Sequence, residues 1–103
     1  MENKVGVLEG LLFVVGDEGL SFDQIIDALD VSIEEAKELV LELKREYEKN
    51  THGIQIAYLG DRIKLTTKKE HKDYYLKLMI HSYYHTLANT NIQNTKNIID
   101  NEK

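Results

Sequence analysis

Residues 32–67 read SIEEAKELVLELKREYEKNTHGIQIAYLGDRIKLTT, and the apolar period changes inside this stretch. From Ile33 the apolar side chains recur as Ala36, Leu39, Val40, Leu43 and Tyr47, spaced so that they share one face of an α-helix. After the turn cluster Asn50-Thr51-His52-Gly53 the spacing drops to two, with Ile54, Ile56 and Tyr58 followed by Ile63 and Leu65. That is the period of a half-buried strand, and Gly60-Asp61 is the kind of short connection that closes a β-hairpin. A helix over Ile33–Tyr47 leading into a hairpin is therefore expected. Ser32, with Glu35 three residues on, matches the capping-box pattern and fixes where that helix starts.

The same reading extends toward both termini. Asp30-Val31 breaks the chain before Ser32, and a preceding helix carries Ile25, Ile26 and Leu29 behind Ser21, a good N-cap. Gly16-Asp17-Glu18-Gly19 ends an earlier helix expected from near Lys4 to Val15. Beyond the hairpin, a further helix fits Lys68 to about Met79, with Tyr75, Leu78 and Met79 as its apolar positions. Helix, helix, helix, hairpin, helix is the order of a winged helix-turn-helix. The fold class expected is α+β, mostly helical, with a two-stranded wing and one domain over residues 1–79. Residues 80–103 have a different composition: five of the chain's seven Asn fall in the last fifteen residues, interleaved with Thr90 and Thr95. Such a segment buries little apolar surface, and a frayed or disordered tail is expected there.

Composition removes several function classes. No stretch approaches the roughly 18 apolar residues of a membrane span, the longest apolar run being Leu11 to Val15. No cationic leader precedes the first helix, and there is no Cys, so a cytoplasmic chain without disulfides, zinc ribbon or thiol nucleophile is expected. The net charge of −5 is unevenly spread: residues 1–50 carry thirteen acidic and five basic side chains, residues 51–103 five acidic and eight basic. The helix that would enter a DNA groove opens with Glu34, Glu35, Lys37 and Glu38. Three carboxylates at that point repel phosphates, and the Arg, Asn or Gln that would contact purines are missing. Sequence-specific duplex binding is therefore not expected, and a DNA-binding transcriptional regulator is the alternative reading. That alternative would use the basic cluster Arg62, Lys64, Lys68, Lys69 and Lys72, which equally reads as a solvated face.

Catalytic and metal chemistry find little support. His81 and His85 stand at i, i+4, but no Glu lies between them as a zincin helix requires, and His71 or Asp73 would have to supply a third ligand. Ser21 and Ser32 read as caps, and Gly16-Asp17-Glu18-Gly19 lacks the Lys of a phosphate loop. No enzyme, no cofactor and no metal site are expected. The first helix is more informative. Val5, Val7, Leu8, Leu11, Leu12, Val14 and Val15 cover about half its circumference, wider than the ~100° stripe a surface helix needs. Gly6 and Gly10 leave a track free of side chains on the other side, beside Phe13. Either this is the central core helix of a small domain, or Val7, Gly10, Leu11, Phe13 and Val14 meet a second protein.

The run Leu8-Glu9-Gly10-Leu11-Leu12-Phe13-Val14-Val15-Gly16-Asp17-Glu18-Gly19-Leu20-Ser21 resembles the opening of the segregation and condensation protein B family. Gly53-Ile54-Gln55-Ile56 resembles that family's first wing strand, and Arg62-Ile63-Lys64-Leu65-Thr66-Thr67-Lys68 its second strand and exit. The resemblance covers about residues 5–79, in order and spacing. It implies a non-enzymatic accessory subunit of a bacterial condensin-like complex, associated with the nucleoid. The family's members carry two winged-helix domains, homodimerise through the first, and embrace a kleisin, segregation and condensation protein A. The kleisin bridges the structural-maintenance-of-chromosomes ATPase. After Met79 the Asn/Thr-rich tail stands where the second domain would follow, so the resemblance supports dimerisation more strongly than kleisin capture.

Overall fold

The computed structural model describes residues 3–88, with side chains to His85. It comprises two compact units, the first ending at Lys68 and the second starting at Lys69. The first unit contains α1 (Lys4–Val15), β1 (Leu20–Ser21), α2 (Phe22–Leu29), α3 (Ile33–Tyr47), β2 (Ile54–Leu59) and β3 (Arg62–Thr67). The strands form one antiparallel sheet in the order β1-β3-β2. This is the winged helix expected from the sequence, with β2 and β3 as the wing.

Local chemistry sets the boundaries. The Asn3 side chain accepts from the Gly6 amide at 3.1 Å and starts α1. Ser21 and Gln24 form a complete capping box at α2: the Ser hydroxyl accepts from Gln24 N at 3.1 Å, and the Gln carbonyl accepts from Ser21 N at 2.8 Å. At Ser32 only the forward half forms, from Glu35 N at 3.1 Å. The Glu35 carboxylate lies instead 3.7 Å from Lys4 Nζ, which draws it away from the Ser32 backbone. Asp30 closes α2 in the left-handed conformation at φ 55°, a position a short polar side chain tolerates. In the wing, φ is positive at Gly60 (61°) and not at Asp61, as a type II′ hairpin turn with Gly first requires.

β1 is the element that periodicity could not reveal. It is two residues long, pairing Leu20 with Ile63 and Ser21 with Arg62. Gly19 precedes it at φ 76°, where a Cβ would lie 2.9 Å from the Ile63 carbonyl oxygen, so only glycine fits against β3.

The core is assembled from all of these elements: Leu8 and Leu12 of α1, Leu20, Ile25 and Leu29, Ala36, Val40, Leu43 and Tyr47 of α3, and Ile56 and Ile63 of the wing. Tyr47 is buried with its hydroxyl donating to Glu9 Oε2 at 2.5 Å, a charge-assisted bond joining α3 to α1. Burial, and then this bond, holds the phenol well above the ordinary tyrosine value. Its contribution to stability is therefore full below about pH 10, the value in an unfolded chain, and declines as pH rises past it. Tyr47→Phe is expected to lose about 1–2 kcal/mol at neutral pH and to flatten that alkaline decline. Urea titrations at pH 7 and pH 10.5 measure both, and equal alkaline slopes in the two proteins would count against the assignment.

The second unit holds a 3-10 turn at Lys69–His71 and the helix α4 (Lys72–Ala88). The fourth helix thus begins four residues later than expected and continues past Met79. Thr67 completes the wing, and Lys68 extends its ladder by donating its amide to the Gly53 carbonyl at 3.1 Å. The expected boundary at Met79 falls within α4, and the tail from residue 89 onward lies outside the described residues. Within this unit, Tyr75 Oη of α4 lies 3.4 Å from His71 Nδ1 of the turn, while Tyr74, Leu76, Leu78, Met79, Ile80 and Tyr84 are exposed.

Candidate functional site

α1 has two different apolar sides. Leu8 and Leu12 point into the core with Val5, Leu11 and Val15 packed beside them. On the opposite side Phe13 is 81% exposed and Val14 79%, and Val7 and Gly10 face solvent as well. At 100° per residue Gly6 and Gly10 fall between Phe13 on one flank and Val7 and Val14 on the other. The result is a furrow floored by backbone and walled by apolar side chains. It is open, since a Cβ added at Gly10 would meet nothing within 4 Å. The neighbouring carboxylate, Glu9, is already engaged by the Tyr47 hydroxyl. Of the five residues singled out on this helix, Val7, Gly10, Phe13 and Val14 share the exposed strip, whereas Leu11 is half-buried against the core. The core reading of the arc therefore holds for its inward part, and the outward part is left open to solvent.

The basic cluster divides. Arg62 is exposed, with one guanidinium N–H donating to the Gly19 carbonyl at 3.3 Å, and Lys64 is half-buried. Lys68 is 6% exposed, its ammonium donating to the Lys49 carbonyl at 2.9 Å, so it is a tether at the exit of the wing and no part of a solvent-facing patch. Lys69 and Lys72 are exposed but belong to the second unit. On the first unit the cluster reduces to Arg62 and Lys64. Glu34, Glu35, Lys37 and Glu38 are all exposed at the start of α3, which leaves the surface that would meet a groove acidic.

Two further polar clusters are structural. Glu46 accepts from Lys49 Nζ and lies 2.9 Å from His52 Nε2, and these two partners, Lys49 first, hold its carboxyl below the usual range. The cluster fastens the turn between α3 and β2. His81 and His85 stack with ring centroids 6.4 Å apart, but among the described residues no group of three or more potential ligands is placed to hold a metal. No described helix is long and apolar enough to cross a membrane.

These features define a winged-helix domain whose first helix carries an exposed apolar strip and whose third helix opens on carboxylates. The chain belongs to the family of the segregation and condensation complex subunit ScpB, whose profile matches residues 6–99. It is 47% identical over 73 residues to segregation and condensation protein B of Geobacillus kaustophilus, covering 71% of this chain and 34% of that protein. The corresponding protein of Bacillus mycoides is 42% identical over 73 residues, covering 71% of this chain and 38% of its own length. The chain thus spans a little over a third of the curated relatives it matches. Among solved structures, a dimer of the ScpB N-terminal domain complexed with an ScpA peptide is 44% identical, with a TM-score of 0.73 over 76% of this chain and 93% of that one. ScpB from Mycobacterium tuberculosis, 19% identical with a TM-score of 0.69 over 88% of this chain and 61% of that one, shares the fold.

Proposed function

We propose that this chain is a non-enzymatic interaction subunit in chromosome condensation and partition during cell division. In this reading it homodimerises and associates with a kleisin and its structural-maintenance-of-chromosomes ATPase, in the cytoplasm at the nucleoid. The observation that carries it is the exposed apolar strip on α1. A small domain rarely leaves Val7, Phe13 and Val14 contiguous in solvent unless another surface covers them. The furrow at Gly6 and Gly10 suits close approach of a second helix, and a two-fold pairing of α1 with its copy would bury both strips at once. The match to the ScpB N-terminal domain, solved as a dimer with an ScpA peptide, supports both partnerships.

The test has two readouts on the full chain. Sedimentation across roughly 1–100 µM, a range that brackets micromolar association, should show a monomer passing to a dimer. Affinity capture from the source cell should recover the kleisin and the ATPase together. A chain that stays monomeric at the highest concentration would remove homodimerisation, and capture that recovers neither subunit would remove the complex.

A further inference from the structure

The sheet order leaves β2 on the outside of the wing. β2 pairs residue for residue with β3, from Ile54 opposite Thr67 to Leu59 opposite Arg62, without a bulge. The bond from Lys68 N to Gly53 O sets the phase of the ladder. Stepping by two from there, the backbones of Gln55, Ala57 and Leu59 face β3. Those of Ile54, Ile56 and Tyr58 point away from the sheet. Among the described residues no strand pairs with them.

Unpaired edges of this kind are normally guarded by a charge, a proline, a bulge or short length. β2 is six residues long and reads Ile-Gln-Ile-Ala-Tyr-Leu, with none of these guards. The side chains around the edge are selective. On one face Tyr58 is half-exposed with Lys44 Nζ 5.8 Å from its ring centroid, and Leu41 stands exposed one turn earlier on α3. On the other face Ala57 and Leu59 lie opposite Lys64 and Arg62. The charges stacked on or directly across from β2 are cations on both faces, with Asp61 confined to the loop.

We propose that the outer edge of β2 receives an extended, acidic segment of a partner protein as a fourth strand. The backbone of Ile54, Ile56 and Tyr58 supplies the hydrogen bonds. Lys44 and Lys64 select carboxylates, and Tyr58 offers an apolar contact beside them. The inference rests on the proposed kleisin partnership and says which feature of that partner is held. It leaves the α1 strip free for the second copy.

The experiment uses the full chain with the intact kleisin of the same cell and with overlapping peptides tiled along it. Residue-resolved amide exchange should show the Ile54, Ile56 and Tyr58 amides, fast in the free protein, becoming protected by an acidic peptide. Tyr58→Pro removes an outward donor without touching the β2–β3 ladder and should weaken binding about tenfold. Lys64→Glu should weaken it several-fold, more so at low salt. Protection of the three amides in the wild type reads out the proposal even if Tyr58→Pro folds poorly. Kleisin binding with these amides still exchanging freely, or equal binding to wild type and a folded Tyr58→Pro, overturns the edge assignment alone. Protection that grows with protein concentration in the absence of kleisin would assign the edge to a second copy instead. Failure of the intact kleisin to bind ends the partnership on which the proposal rests.

Discussion

Leu12→Ala is expected to lower the folding stability of the winged-helix unit by about 3 kcal/mol, within the range for a buried leucine truncated to alanine. Leu12 is almost completely enclosed, one turn of α1 from Leu8 in a core fed by every helix and strand of the first unit. Shortening it removes apolar contacts and leaves a cavity that surrounding helices cannot collapse without shifting α1. Against the roughly 5–15 kcal/mol that a natural domain possesses, this is a large fraction. A urea titration should show the midpoint falling with little change in slope. A loss below about 1 kcal/mol, the average for any substitution, would mean that α1 is not the centre of the core. If the protein dimerises, the apparent loss should shrink as concentration rises, because association stabilises only the folded chain.

Val14→Glu, two residues further along the same helix, should behave in the opposite way. Val14 is 79% exposed, so the monomer is expected to lose no more than about 0.5 kcal/mol. In a two-fold pairing of α1 helices, however, each substitution appears twice and brings carboxylates into an apolar contact. Leaving such charges buried without partners costs several kcal/mol, enough to weaken the dimer more than a hundredfold. Sedimentation should find a folded monomer at concentrations where the parent is dimeric. Lys37→Glu, on the acidic start of α3, should leave association unchanged. A Val14→Glu chain that still dimerises would move the interface off this strip.

The architecture was open to sequence reading wherever its cause is local. The starts of α2 and α3 follow from Ser21 and Ser32 as caps, the end of α1 from Gly16, and the wing from a change of period around Gly60-Asp61. What escaped has non-local causes. β1 is two residues long, too short to show a period, and exists because Gly19 lets the chain press against Ile63. The bond from Tyr47 to Glu9 joins residues 38 apart and leaves no mark in either neighbourhood. Lys68 looked like one more surface cation, because a sequence does not say that the Lys49 carbonyl waits 2.9 Å from its ammonium. The strip on α1 was half legible. Periodicity gave the width of the apolar arc, but only packing separates Leu11, turned inward, from Val14, turned out.

The short strand β1 also determines how the domain would carry a load. Its two pairs with β3 are reinforced by Phe22 N bonding to the Asp61 carbonyl at 3.3 Å and by Arg62 reaching the Gly19 carbonyl. These bonds rivet the tip of the wing to the corner between α1 and α2. A pull on β2 passes through β3 into that corner, where these bonds share the strain, so the wing peels away as a free hairpin only after they break. Tension applied at the wing would then be felt at the end of α1, the helix whose far side carries the apolar strip.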